Sequence, residues 1–303
     1  MSTSAAATST PSSTSNSQTP TLGKIKFYLK SIIFGATIAG CALYGVIASI
    51  LLRLIGKVEY AQYTVARAFY YSLSLFLGIK IHIKNEHYLN QLPAIVISNH
   101  QSALDIHVLG RLFQPGFTVT SKKSLKYVPI LGWFMALSGT FFLDRSKSAK
   151  ARKVLDGALT NLKKDERALF IFPEGTRSAF ENLTMLPFKK GAFHLAKQAG
   201  IPIIPVVVSN TSSIFNSKRK IFNSGEIFIE VLPPVSTANL ESNDDITAYC
   251  KDIRDDMINK LQKLGYSKTQ GAKPREDYYP SEDEITDTEV EVINEETPLV
   301  TND

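Results

Sequence analysis

The sequence predicts an α/β protein: a mostly parallel central sheet flanked by helices, joined to an N-terminal membrane-embedded helical segment. Two observations carry that reading. From Lys80 onward, short β-rich runs alternate with helical patterns, the mark of successive βαβ units. Ahead of them Ser31–Leu52 reads SIIFGATIAGCALYGVIASILL, 22 residues without a charge. As a helix that run extends about 33 Å, matching the hydrocarbon core of a bilayer.

Taken in order, residues 1–20 are dominated by Ser, Thr, Ala and Pro, a composition that offers nothing to bury and predicts a disordered leader. Residues 21–80 hold the anchor helices. The polar stretch before the apolar run is too long for the short basic leader of a cleaved signal peptide. Lys24, Lys26 and Lys30 precede the run and Arg53 and Lys57 follow it, so flanking charge leaves the orientation open. A second apolar stretch, Phe69 to Ile79, is too short to span unaided and predicts an interfacial or re-entrant helix.

Residues 81–265 form the main domain. Its expected strands are Lys80–Lys84, Ala94–Ser98, Phe117–Ser121, Gly139–Asp144, Ala168–Phe172, Ile203–Ser209 and Glu226–Leu232, rich in β-branched and aromatic residues. The expected helices are Ala103–Phe113, Ile130–Leu137, Ser146–Lys164, Lys189–Ala199 and Asp244–Leu264. Residues 266–303 read as an acidic disordered tail.

Charge narrows the choice of partner. The formal net charge of +6 conceals an asymmetry: Gln270–Asp303 carries 11 acidic and 2 basic residues, leaving 32 basic against 17 acidic in Met1–Thr269. So basic a body calls for an anionic partner, be it nucleic acid, a phospholipid surface or a phosphorylated substrate. The spanning segment and the lack of a nucleic-acid recognition motif exclude the first. Cys41 and Cys250 are far apart and match no metal or redox spacing. The sequence has no GxSxG elbow, P-loop or strand-linked GxGxxG.

Chemistry concentrates where the strands end. AIVIS is followed by Asn99-His100-Gln101-Ser102-Ala103-Leu104-Asp105. Ser102 three residues before Asp105 predicts a capping box, with Ser102 as N-cap and Asp105 in the first helical turn. His100 then lies outside the helix, where a turn can fold its ring back toward the carboxylate. In such a pair the carboxylate fixes the tautomer and the other ring nitrogen takes a proton. The alternative is an Asp105 that merely favours the helix dipole beside an unrelated His100. A metal held by His100, Asp105 and His107 is excluded, because Asp105 and His107 point to nearly opposite helix faces.

The strand ALFIF leads into FPEGTRS, Phe172 to Ser178. There Gly175 permits an unusual φ, and Thr176 and Arg177 add a hydroxyl and a planar fork suited to phosphate. The other reading is an ordinary turn with Arg177 paired to Glu174. GTFFLDRS ends on Asp144-Arg145, and SKKSLKYVPILGW places Lys122 and Lys123 at a strand end.

Together these segments resemble the 1-acylglycerol-3-phosphate acyltransferases of the glycerolipid acyltransferase superfamily. The resemblance covers roughly Lys80 to Pro234 and rests on four motifs in the family's order: NHQSALD, GTFFLDR, FPEGTRS and IPIIPVVVS. It implies His100 as base and Asp105 as its orienting partner. Arg145, Glu174, Gly175, Thr176 and Arg177 then serve the acyl acceptor and its phosphate, and Pro205 shapes the acyl-donor side. Which of Lys122 and Lys123 faces the phosphate stays open, because strand neighbours point to opposite faces.

The expected function is transfer of a fatty acyl group from acyl-CoA, a co-substrate, to lysophosphatidic acid, with no cofactor or metal, at a membrane of the endoplasmic reticulum. Alternatives are acylation of glycerol-3-phosphate or another lysophospholipid, and, in another class, an idle membrane-anchored protein binding anionic lipid. Two glycosylation sequons, at Asn182 and Asn210, would crowd this site with glycan, so the main domain is expected to face the cytosol.

Overall fold

The computed structural model describes residues 20–143 and 162–272. The leader, Arg145 and all but the last turn of the expected helix Ser146–Lys164 lie outside them. Helix α1, Pro20–Leu54, has 35 residues, about 52 Å of helix. Among the described residues it is the one helix long and apolar enough to cross a membrane. Ile32, Leu43, Ile47 and Leu51 stand exposed along it, a surface that water disfavours and lipid accepts.

Helix α2, Tyr60–Leu77, packs beside α1. The second apolar stretch divides here. Gly78 caps α2 in the left-handed conformation (φ 64°) and Ile79 opens the first strand. Phe69, Leu73 and Leu77 are buried in the core, whereas Tyr71, Leu75 and Phe76 face outward. Instead of lying free at an interface, the helix is a core element with one exposed apolar face.

The strands are β1 (Ile79–Lys84), β2 (Ala94–Ser98), β3 (Phe117–Lys122), β4 (Phe141–Leu143), β5 (Ala168–Ile171), β6 (Ile203–Val208), β7 (Phe215–Asn216), β8 (Ile221–Phe222), β9 (Gly225–Val231) and β10 (Lys268–Thr269). The main sheet runs β1-β9-β6-β2-β5-β3-β4. Neighbours along it are parallel except β6 with β9, and β10 adds to β9 antiparallel. The α/β class with a mostly parallel sheet therefore holds. β2 and β6 are buried at every residue, as central strands covered on both faces must be.

The covering layers are α3 (Asp105–Leu112) with α1 and α2 on one side, and α5 (Gly191–Ala199) with α6 (Asn243–Leu264) on the other; α4 (Leu131–Leu137) sits against α1. Strand alternation feeds both layers. Ala94 and Val96 join the α1–α3 core, and Ile95 and Ile97 join the α5–α6 core.

Gly110 of α3 allows a close approach to α2. A Cβ there would lie 2.9 Å from the Ala66 carbonyl and 3.1 Å from the Tyr70 Cβ.

One boundary needs correction. Residues 266–272 are part of the fold, not of a solvated tail. Ser267 is buried, its hydroxyl lies 2.8 Å from that of Ser209, and Lys268–Thr269 pairs with Glu226–Gly225. Residues 273–303 lie outside the described set.

Candidate active site

The C-terminal ends of β2, β3, β5 and β6 lie side by side, the position where open α/β sheets place their chemistry. Asn99, the first residue beyond β2, ties this edge together: its side-chain amide donates to the Val208 carbonyl and accepts from the Val208 N–H, both at 2.9 Å. Gln101 does the same one step further on, donating to the carbonyls of Val208 and Ser209 and accepting from Thr211 N–H. The loop carrying His100 is thus pinned to β6 by two amide side chains.

His100 Nδ1 lies 2.6 Å from Asp105 Oδ2. The same oxygen accepts backbone N–H bonds from Gln101 at 2.6 Å and Ser102 at 3.1 Å. A carboxylate accepts only, so Nδ1 carries the hydrogen and Nε2 is left as an acceptor. The expected capping box is half formed. Asp105 reaches back to Ser102 N–H, but the Ser102 hydroxyl accepts from Leu104 N–H instead of Asp105 N–H. The carboxylate's remaining capacity goes to the imidazole. Phe172 stacks on the ring, centroids 4.0 Å apart and planes 15° from parallel, fixing its second face.

Glu174 occupies a different place from the one the motif suggested. Its side chain is buried, with Oε1 accepting from His100 N–H at 2.6 Å and Oε2 from Leu186 N–H at 2.9 Å. It contacts backbone rather than an acceptor, and it does not pair with Arg177. Burial pushes its carboxyl above the ordinary carboxylate range, while the two N–H groups oppose that shift. Beyond it the chain turns at Gly175 (φ 72°) and runs beside the His100 loop, with Ser178 N–H on the His100 carbonyl and Ala179 N–H on that of Gln101. Gly175 serves by conformation, since that φ costs other residues about 1 kcal/mol or more.

A cleft of about 500 Å³ opens on His100, within the range for one elongated small-molecule ligand. Its walls are largely apolar: Ile38 and Ala42 from α1, Val65 and Phe69 from α2, Leu109 from α3 and Phe134 from α4 all line it. His100, Lys122, Thr176 and Arg177 are also in its lining. Of the lysine pair, Lys122 lines the cleft and Lys123 begins the next 3₁₀ turn.

Pro205 is also elsewhere. It lies within β6 opposite Ile97 of β2, accepting a hydrogen bond from Leu232 N–H through its carbonyl. It is buried at a central strand position and is not among the residues lining the cleft. Arg145 lies outside the described residues. No cluster of His, Cys, Asp and Glu suited to a metal ion occurs among the described residues.

Two contributors escaped the sequence reading. Phe172 looked like the last core residue of a strand. Gln62, a polar side chain buried in α2, donates to the Ser138 carbonyl and to the hydroxyls of Thr118 and Thr140, holding α2 against β3 while lining the cleft. An isolated Gln in an apolar helical stretch is the one signal that marks it.

A histidine oriented by a carboxylate thus stands at a strand end, beside an apolar cleft that Lys122 and Arg177 also line. Residues 80–209 match the acyltransferase family model. The chain is 54% identical over 246 residues to 1-acyl-sn-glycerol-3-phosphate acyltransferase of Saccharomyces cerevisiae, covering 81% of each. It is 34% identical to the human beta enzyme of that name, over 72% of this chain and 78% of the relative. The crystal structure of the 1-acyl-sn-glycerophosphate acyltransferase PlsC from Thermotoga maritima shares the fold, with a TM-score of 0.61 and 23% identity over 80% of this chain and 96% of that one. The chain belongs to the 1-acyl-sn-glycerol-3-phosphate acyltransferase family.

Proposed function

We propose that this protein moves a fatty acyl group from acyl-CoA to the sn-2 hydroxyl of 1-acyl-glycerol-3-phosphate, forming phosphatidic acid. The observation that carries the reading is the His100–Asp105 pair at 2.6 Å, opening on a cleft that combines apolar walls with Lys122 and Arg177. The names of the curated relatives agree with it.

In this mechanism His100 Nε2 takes the proton of the acceptor hydroxyl as its oxygen attacks the thioester carbonyl. Asp105 stabilises the imidazolium that forms. The tetrahedral intermediate collapses, the carbon–sulfur bond breaks, and the thiolate leaves and takes up the proton. A thioester is already activated, so no acyl-enzyme is needed. General base catalysis contributes about 10²–10⁴-fold. Lys122 and the guanidinium fork of Arg177 hold the acceptor phosphate, with Arg145 assigned beside them by resemblance, and the apolar walls hold an acyl chain.

The setting we propose is the endoplasmic reticulum membrane with the domain on the cytosolic side, where acyl-CoA is available. α1 supports membrane attachment. Of the two sequons, Asn210 is buried with its amide donating to the carbonyls of Phe180 and Asn182, so it accepts no glycan once folded. Exposed Asn182 is left as the position where glycosylation would mark a lumenal domain. The decisive experiment is CoA release by the purified protein across a panel of lysolipids and glycerol-3-phosphate. Turnover restricted to lysophosphatidic acid supports the proposal; preference for glycerol-3-phosphate or another headgroup replaces it, and no release with any acceptor points to lipid binding alone.

A further inference from the structure

The two loops that run together at the site have a second side. Opposite the apolar cleft, a separate basin of about 200 Å³ is built from Ser102 and Ala103 on one loop, Arg177 and Ala179 on the other, and the segment Thr211–Lys218 that includes β7. Arg177 lines both spaces. Their chemistry differs. The cleft walls are aliphatic and aromatic, and the basin too has apolar wall from Phe180 and Phe215, but Ser102, Thr211, Ser212 and Ser217 add hydroxyls to it and Asn216 an amide.

The second cation lining the basin is Lys218. It sits in the turn of the β7–β8 hairpin among three consecutive basic residues, and its neighbours are otherwise engaged. Arg219 pairs with Glu181 at 3.3 Å, and the Lys220 ammonium lies over the rings of Phe27 and Tyr28 at 5.2 and 5.6 Å. Phe215 and Phe222, the apolar residues of the hairpin, lie against Phe27 and Phe34 of α1. The turn is therefore held in place by aromatic contacts, with Lys218 alone of the three lining the basin.

A groove with hydroxyls and an amide in its wall, and with a guanidinium and an ammonium also lining it, offers partners to a ligand that carries amide groups and phosphate. We infer that this basin receives the phosphopantetheine arm of the acyl donor, with Lys218 facing the donor's phosphates and the acyl chain passing Arg177 into the cleft. The inference rests on the proposed acyl-CoA reaction. The lysolipid acceptor is an apolar chain with a phosphate at its end and has no amides to satisfy, whereas the thioester's carrier is polar throughout.

The test compares donors of different length with full-length protein in neutral detergent micelles. Lys218→Glu should raise KM for acyl-CoA about fivefold, the scale of one exposed ion pair, with the increase shrinking at high salt. KM for an S-acyl pantetheine, which lacks the nucleotide and the phosphates, should not change, nor should KM for lysophosphatidic acid. Lys218→Ala should show the same pattern at smaller size. Calorimetric titration with CoA itself reads the basin without turnover, and Lys218→Glu should weaken that binding by a similar factor.

Equal KM values for acyl-CoA in wild type and Lys218→Glu would overturn the inference. So would a KM increase common to both donors, or one that appears only when anionic lipid is added to the micelles, which would make Lys218 a headgroup contact. Wild-type protein that binds CoA through Lys218 but releases none from acyl-CoA with any acceptor would leave the basin standing and remove the reaction.

Discussion

Glu174 and His100 are joined through the backbone of one and the side chain of the other: the His100 N–H donates to Glu174 Oε1 at 2.6 Å, while Glu174 Oε2 holds Leu186 N–H. The histidine is fixed at both ends, its ring by Asp105 and its main chain by Glu174. Glu174→Gln keeps the shape but replaces one acceptor oxygen with a donor that faces an N–H. We expect kcat to fall 10-fold or more with little change in KM for either substrate, together with a stability loss of about 1–3 kcal/mol for the buried mismatch. Activity and thermal midpoint measured on the same preparation check this. A parallel rise in both KM values would show that Glu174 touches substrate.

Removing the base should do more. His100→Ala is expected to lower kcat by at least about 10²-fold while membrane insertion and cooperative unfolding persist. Asp105→Asn should cost less in rate and little in stability, because its amide oxygen can keep the contacts that Oδ2 makes with His100, Gln101 and Ser102 while the charge that stabilises the imidazolium is lost. Rates at saturating substrate and urea midpoints for both variants separate the two roles.

The cleft distinguishes two adjacent lysines. Lys122→Ala should raise KM for lysophosphatidic acid by roughly 10-fold, the worth of a charge-assisted contact, and Lys123→Ala should change it less than twofold. Arg177→Lys keeps the charge but loses the fork and should also raise that KM. Acceptor titrations at fixed donor read all three.

Gly110 offers a test of packing at the cleft. Gly110→Ala sets a methyl group 2.9 Å from the Ala66 carbonyl, where the backbone must shift, and should destabilise the protein by about 1–3 kcal/mol. Because Gly110 also lines the cleft, the variant should lose affinity for long-chain donors as α2 moves. Circular dichroism melts and donor KM values measured together check this.

His107, on the same helix, supplies a pH signature. It is fully buried, stacked on Tyr70 with ring centroids 5.3 Å apart, and desolvation lowers its pKa from 6.5 to about 4, opposed by the Ile79 carbonyl 3.4 Å from Nε2. Between those two values the unfolded chain binds a proton that the folded chain does not. Stability is therefore level above pH 6.5 and falls as pH drops from 6.5 toward 4, by roughly 1–3 kcal/mol. His107→Phe should flatten this part of the stability curve. Unfolding midpoints in detergent between pH 4 and 7 decide the matter.

The strands of the main domain were legible because each is a compact β-branched run, and α1 because a long uncharged stretch admits few alternatives. The hairpin β7–β8 and β10 were not, since strands of two residues carry no period to read. The same distinction runs through the site. His100 and Asp105 are five residues apart, so a local turn was enough to bring them together. The partners of Glu174 are 74 and 12 residues away, and nothing local separates a carboxylate that grips substrate from one that grips a distant amide. Pro205 stands in a recurrent motif yet serves the sheet, since a motif marks a segment without saying which of its residues faces outward.

Helix α1 is tied to the body at both ends: Lys30 donates to Ser224 and to the Leu77 carbonyl, and Arg53 to the Leu137 carbonyl. Between these ties it walls the cleft with Ile38 and Ala42. With the membrane attachment proposed above, an enzyme built this way has no tether to pay out, so its mouth keeps one depth and one tilt relative to the bilayer. An acceptor dissolved in that leaflet arrives by lateral diffusion in two dimensions, and the concentration that governs the rate is its mole fraction in the surface. Diluting lysophosphatidic acid with inert phospholipid at constant bulk concentration should then slow turnover as strongly as removing it from the tube.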